Sequence, residues 1–233
     1  YAEFEARANR LTHLLQNEGL SRQDHYSIMM ENNNRYLEAC AAGERAGLYY
    51  TCINSYLTAD ELAYILDNSE SQILITSMSK LEVSIDAVAQ NSKVRRVLVV
   101  DADENELPDG FEDYATACQS FPATPIDNER LGTSMLYSSG TTGRPKGIIR
   151  PLPEQPPAQA LPMYDFLGQL WHYREDMIYL SPAPLYHSAP QAAVNLTIRQ
   201  GGTVIIMERF DPEAYLSLIE RHRVSHSQLV PTM

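Results

Sequence analysis

Ten consecutive residues, Ser138-Ser139-Gly140-Thr141-Thr142-Gly143-Arg144-Pro145-Lys146-Gly147, bring together four hydroxyls, three glycines and two cations. Glycines let a backbone bend until its N–H groups converge, and converging N–H groups bind anions. Hydroxyls add short hydrogen bonds to phosphate oxygens, and Lys146 adds a mobile positive charge. The combination reads as a cradle for a polyphosphate. The alternative is an ordinary hairpin rich in Ser, Thr and Gly, which would have no use for Lys146 between two apolar strands. A Walker A loop is excluded, because that motif needs Gly-Lys-Ser/Thr opening a helix. Here Pro145 pushes Arg144 away from helical geometry, and Gly147 to Arg150 reads as a strand. The expected arrangement is strand–loop–strand, with the loop itself holding phosphate.

A second candidate is His187. It follows Pro182-Ala183-Pro184, at the end of an expected strand and before a helix over 191–198. Ligands gather at the carboxyl ends of parallel strands in open α/β sheets. A lone histidine is by itself more often structural, so His187 needs further support. The other histidines (His13, His25, His172, His222 and His226) have no such setting. His222 and His226 are four residues apart, but that spacing crosses a helix end, so no metal pair is expected. Cys40, Cys52 and Cys118 are odd in number and form no Cys-x-x-Cys pair. They fit core or surface positions in a reducing cytosol, not a disulfide scaffold or a cysteine zinc site.

The elements that position these residues alternate. Helical spacing from Phe4 to Leu15 gives a first helix ending near Glu18, capped by Gly19. Strands are expected at His25–Met30, Tyr49–Ile53, Ile73–Ile75 and Val97–Val100. Asn32-Asn33-Asn34 reads as a turn before a helix over Tyr36–Ala46. Thr58-Ala59-Asp60-Glu61 is a capping box that opens another helix, and Leu81, Ile85 and Val88 mark a further one. Asp101–Asp113 holds seven acidic residues and no basic one; it lacks EF-hand spacing and reads as a solvated acidic loop. Past Ile126, strands are expected at Met135–Ser138, Gly147–Arg150, Met177–Ser181, Thr203–Met207 and Ser225–Val230. Pro151–Pro162 contains five prolines and reads as an exposed, extended loop. Asp211 and Pro212 open a helix to His222. The fold class is α/β with largely parallel sheets. Two subdomains are expected, 1–126 and 127–233, the second carrying the phosphate loop.

The 233 residues include 18 basic and 30 acidic ones, a net charge of −12. With 44% hydrophobic and 21% charged residues the composition is that of a folded protein. The acidic balance excludes a non-specific nucleic-acid binder. No run approaches the roughly 18 apolar residues of a membrane span. The cysteines and the lack of a visible targeting segment give a cytoplasmic expectation. Both ends of the chain read as cut, so a piece of a longer protein is expected.

Leu136-Tyr137-Ser138-Ser139-Gly140-Thr141-Thr142-Gly143-Arg144-Pro145-Lys146-Gly147 closely resembles the signature loop of the adenylate-forming enzymes: acyl-CoA synthetases, peptide-synthetase adenylation domains and luciferases. Three further segments carry the likeness. Asn54 to Leu66 resembles the family's upstream segment, Pro184-Leu185-Tyr186-His187-Ser188-Ala189 the motif lining the acyl site, and Val230-Pro231-Thr232-Met233 the next landmark. The resemblance implies the large N-terminal domain of such an enzyme. It implies that Ser138, Ser139, Gly140, Thr141, Thr142, Gly143, Arg144 and Lys146 bind ATP. By the same likeness Ser138 is a ligand of Mg2+, and His187 lies between acyl pocket and nucleotide.

The implied reaction joins a small carboxylic acid to ATP as an acyl-adenylate and then transfers the acyl group to coenzyme A. Lys146 and His187 are the implied catalytic residues. The family's lid-domain lysine has no counterpart among Lys80, Lys93 and Lys146. The downstream motifs that hold adenine and ribose are likewise missing from the sequence, so these 233 residues alone are expected to be inactive. Arg150-Pro151-Leu152-Pro153 also departs from the histidine-led helix of many relatives. An amino-acid adenylation domain and a non-catalytic acidic α/β module remain as alternatives.

Overall fold

The computed structural model describes residues 1–103, 107–138, 144–159 and 161–233. They form two compact units. The first comprises Tyr1–Glu31 and Arg35–Pro157, the second Asn32–Asn34 and Ala158–Met233.

In the first unit, α1 (Ala2–Asn17) buries Ala8, Leu11, Leu14 and Leu15 on one face, as the helical spacing predicts. Gly19 follows with a left-handed φ of 82°, the conformation that ends a helix at least cost in glycine. Then come β1 (His25–Met29), α2 (Asn34–Ala46), β2 (Tyr49–Cys52), α3 (Ala59–Asn68) and β3 (Ser71–Ser77). After a 3-10 turn, α4 (Leu81–Val88), β4 (Arg96–Val100), β5 (Phe111–Asp113), α5 (Tyr114–Gln119) and β6 (Thr133–Ser134) follow. The six strands form one parallel sheet in the order β5-β4-β3-β1-β2-β6. Its central strands are buried, with Ile28, Ile73, Leu74, Ile75, Leu98 and Val99 fully buried beside the polar Ser27, Ser71 and Thr76, as expected of a sheet covered on both faces.

The α3 capping box is formed as its sequence demands. The Thr58 hydroxyl accepts from the Glu61 N–H, and the Glu61 carboxylate accepts from the Thr58 N–H at 2.9 Å. The three cysteines are buried, and burial pushes the Cys118 thiol up to about 12, which makes it an inert core residue.

Two segments carry detail that the sequence did not specify. The acidic segment ends in a short edge strand, β5, paired to β4 through Val97 and Phe111. The segment after Ile126 packs into the first unit, because β6 extends its sheet: Tyr49 pairs with Thr133 and Tyr50 with Ser134. Gly132 permits this approach. A Cβ there would collide with the backbone of Gly43 and Leu48, so the strand reaches β2 only because residue 132 has no side chain. The first compact unit therefore continues to Pro157.

β7 (Leu136–Ser138) and β8 (Lys146–Ile148) complete the first unit as an antiparallel pair. The second unit holds α6 (Pro162–Leu170), β9 (Ile178–Ser181), α7 (Ser188–Arg199), β10 (Thr203–Ile206), α8 (Pro212–His222) and β11 (His226–Ser227). Its parallel sheet has the order β10-β9-β11. α6 carries no signal of its own in the sequence reading, and it starts at the last proline of the proline-rich stretch, a position that suits proline. α8 begins as expected, with the Asp211 carboxylate accepting from the Ala214 N–H at 2.7 Å.

Candidate functional site

The phosphate-loop segment is placed by a strand pair. Leu136 faces Ile148, Tyr137 faces Gly147 and Ser138 faces Lys146. Ser138 and Lys146 are therefore brought opposite each other at the open end of the hairpin stem, where both are exposed. Ser139, Gly140, Thr141, Thr142 and Gly143 lie outside the described residues. The strand–loop–strand order expected from Pro145 holds on both sides of them.

The stem is fastened at its flanks. Tyr64 of α3 donates from its hydroxyl to the Pro145 carbonyl at 3.1 Å, and the Arg144 guanidinium lies 5.2 Å from the Tyr64 ring centre. Tyr137 donates to the Asn68 side chain at 2.7 Å, and burial raises its phenol well above the ordinary range. Tyr49 of β2 donates to the Arg150 carbonyl at 2.7 Å and packs with Met135 and Leu152. Gly147 lies against Met135 and the Tyr137 ring, which a Cβ would touch. Arg144 is thus engaged with an aromatic face, whereas Lys146 projects from the strand end into solvent. Sequence reasoning did not single out Tyr64 or Asn68. Their only signal was the capped helix that carries them.

In the second unit, β9 ends at Ser181 and leads through Pro182–Leu185 to His187, which stands immediately before α7. The His187 N–H donates to the Pro184 carbonyl at 3.2 Å, so the turn closes on itself. Its ring lies 4.4 Å from that of Tyr186. Partial burial lowers the imidazole pKa below its ordinary 6.5, so His187 is neutral at pH 7. The chemistry available here is that of a neutral aromatic donor or acceptor at the carboxyl end of a parallel strand. The other five histidines remain unassigned. His226, for example, is held between the Ser225 hydroxyl and the Trp171 carbonyl, at 2.9 and 3.0 Å.

Among the described residues no cluster of three or more His, Cys, Asp or Glu could hold a metal ion. The donors present fit magnesium only as an ion carried by a nucleotide: Ser138 offers one hydroxyl, and phosphate and water would supply the rest. No helix among the described residues is long and apolar enough to cross a membrane.

The model of the family described as "AMP-binding enzyme" matches residues 1–233. The chain belongs to the AMP-binding enzyme family. A feruloyl-CoA synthase from an Amycolatopsis species is 30% identical over 240 residues, covering all of this chain and 44% of that protein. The crotonobetaine/carnitine–CoA ligase of Citrobacter koseri is 23% identical over 244 residues, covering 45% of its length. The ATP-bound crystal structure of MatB from Rhodopseudomonas palustris matches with a TM-score of 0.77 at 28% identity, over all of this chain and 44% of that one. The chain thus spans less than half the length of the relatives it matches. As an AMP-binding enzyme it has the expected α/β fold with largely parallel sheets.

Proposed function

We propose that this chain is part of an ATP-dependent acyl-CoA synthetase, which activates a small carboxylic acid as an acyl-adenylate and passes the acyl group to coenzyme A. The observation that carries the reading is the hairpin stem, which sets Ser138 opposite Lys146 at the two ends of the signature loop. The family match supports adenylate formation, and the names of two relatives, a feruloyl-CoA synthase and a crotonobetaine/carnitine–CoA ligase, favour coenzyme A as acceptor over a carrier protein.

In this reading a carboxylate oxygen attacks the α-phosphorus of ATP. A new P–O bond forms, the bond to the bridging oxygen breaks, and pyrophosphate leaves. Lys146, with Ser138 and the residues of 139–143, holds the β- and γ-phosphates and stabilises the charge that develops on pyrophosphate. Arg144 positions the loop through its contact with Tyr64. Magnesium, when bound with the nucleotide, neutralises phosphate charge, and Ser138 is the residue that would reach it. His187 borders the acyl group as a neutral ring. The thiol of coenzyme A then attacks the acyl carbonyl, AMP departs, and the thiol proton is released. Residues 1–233 by themselves do not complete this cycle, because the lid lysine and the ribose- and adenine-holding motifs of the family are not among them. The enzyme acts as a soluble cytoplasmic protein.

The test is carboxylate-dependent ATP–pyrophosphate exchange by the full-length protein, across aliphatic, aromatic and amino acids. Exchange stimulated by one class, followed by thioester formation with coenzyme A, is the expected result. Absence of exchange with every acid from folded protein supplied with magnesium would overturn the reading.

A further inference from the structure

Asn32 is a buried polar residue in the second unit, one of three residues there that come from the turn between β1 and α2. Its side-chain amide uses both ends. The Nδ2 group donates to the Ala183 carbonyl and to the Met207 carbonyl, each at 3.0 Å. The Oδ1 atom accepts from the Leu185 N–H at 2.8 Å. All three partners are backbone groups, and Ala183, Leu185 and Met207 are themselves buried. Two of the three belong to the turn that delivers His187, and the third follows the end of β10.

The consequence is geometric. Ala183 and Leu185 lie on either side of Pro184, whose carbonyl accepts from the His187 N–H. Fixing the Ala183 carbonyl and the Leu185 N–H to one planar amide fixes the Pro184 peptide between them. That peptide in turn fixes where His187 starts and which way its ring leaves the backbone. Prolines at 182 and 184 restrict the dihedrals but donate no hydrogen bonds, so the turn depends on an outside donor and acceptor. An amide is the side chain that supplies both at once: aspartate would lose the two donations, and leucine all three bonds.

We propose that Asn32 is a positioning residue for the reaction, holding the Pro182–His187 turn so that the His187 ring is presented to the acyl group. This rests on the role given to His187 above. It assigns chemistry to a residue whose sequence neighbourhood, Asn32-Asn33-Asn34, reads only as a turn.

The experiment is a double-mutant cycle in the full-length protein, read by acid-dependent ATP–pyrophosphate exchange. Asn32→Ala lowers kcat by roughly tenfold to hundredfold, the size expected when a reacting geometry slips by about an ångström, while the KM for ATP is unchanged. In a His187→Ala background the same change has little further effect, because the group being positioned is gone. Asn32→Ser, which keeps a hydroxyl able to bond one carbonyl, recovers part of the loss and guards against a folding failure of the alanine variant. An equal loss in both backgrounds, or full activity of Asn32→Ala, overturns the proposal.

A second readout is independent of turnover. In protein carrying 13C-labelled histidine, the His187 ring signals move in Asn32→Ser while those of His13 and His25 stay fixed. Unmoved His187 signals refute the positioning role even if the enzyme proves to have another activity. Absence of exchange by the wild type, with the His187 signals displaced, instead counts against the acyl-CoA synthetase reading alone.

Discussion

The two segments that carry the proposed chemistry are held in opposite ways. The β7–β8 hairpin of the first unit is exposed. Its stem has three facing residue pairs and is fastened by the hydroxyls of Tyr49 and Tyr64 from outside and by its own Tyr137 hydroxyl to Asn68. The Pro182–His187 turn of the second unit is fastened from within, by one buried amide that satisfies three buried backbone groups. Hydrogen bonds that keep partial access to water contribute little each, whereas a buried backbone group left unpaired costs about 1–3 kcal/mol. The turn is pinned at three points, which suits the wall proposed beside the acyl group.

This contrast can be broken in three places. The largest effect is expected at Lys146. Lys146→Ala lowers exchange by about 10²–10³-fold, the range seen when a charge-stabilising donor is removed. The melting temperature does not change, because the side chain is exposed and contributes no packing. A fall in melting temperature that accounts for the lost activity would make Lys146 structural and remove the distinction between hairpin and turn.

Next come two glycines, Gly132 beside β6 of the sheet and Gly147 in the hairpin stem. At Gly132 a Cβ would strike backbone atoms of Gly43 and Leu48, which cannot move aside. Gly132→Ala therefore costs about 2–4 kcal/mol in urea unfolding. At Gly147 a Cβ would strike the end of Met135 and the Tyr137 ring, and the methionine can take another rotamer. Gly147→Ala costs about 1 kcal/mol. Equal costs would show that the exposed stem is as rigidly packed as the sheet behind it.

The smallest effect is the pH dependence of His187. Burial lowers its pKa below 6.5 in the folded protein, so between that value and 6.5 the unfolded chain binds more protons. The stability associated with the neutral ring is complete above the unfolded pKa and is lost as pH falls through the folded one. The acidic limb of kcat/KM for exchange accordingly has an apparent pKa below 6.5 and disappears in His187→Gln. A limb unchanged by that substitution would assign it to another group and free the turn from its proposed role.

Much of the fold was legible because its signals are local. The capping box at Thr58 and Glu61, the Asp211–Pro212 helix start and Gly19 after α1 depend on residues a few positions apart, and all three are formed. The short strand β5 was hidden because its acidic residues and nearby Pro108 and Gly110 outweigh one phenylalanine, and only pairing with β4 makes it a strand. α6 was hidden behind the proline-rich stretch that precedes it. In the candidate site, Ser138, Lys146 and His187 were readable from their motifs. Tyr64, Asn68 and Asn32 were not, because their partners lie far along the chain: Asn32 is 151 positions from Ala183 and 175 from Met207.

By itself, then, the sequence determined the alternation of strands and helices, the strand–loop–strand form of the phosphate segment and the family that this segment marks. These follow from periodicity, proline geometry and a contiguous run of small and cationic residues, all properties of neighbouring positions. Only the tertiary structure decided the strand order, the seating of β6 on β2 through Gly132, and the conversion of a turn asparagine into the clamp of the His187 segment. Each of these depends on burial, which makes a distant backbone group demand a partner, and no local pattern states which residue will supply it.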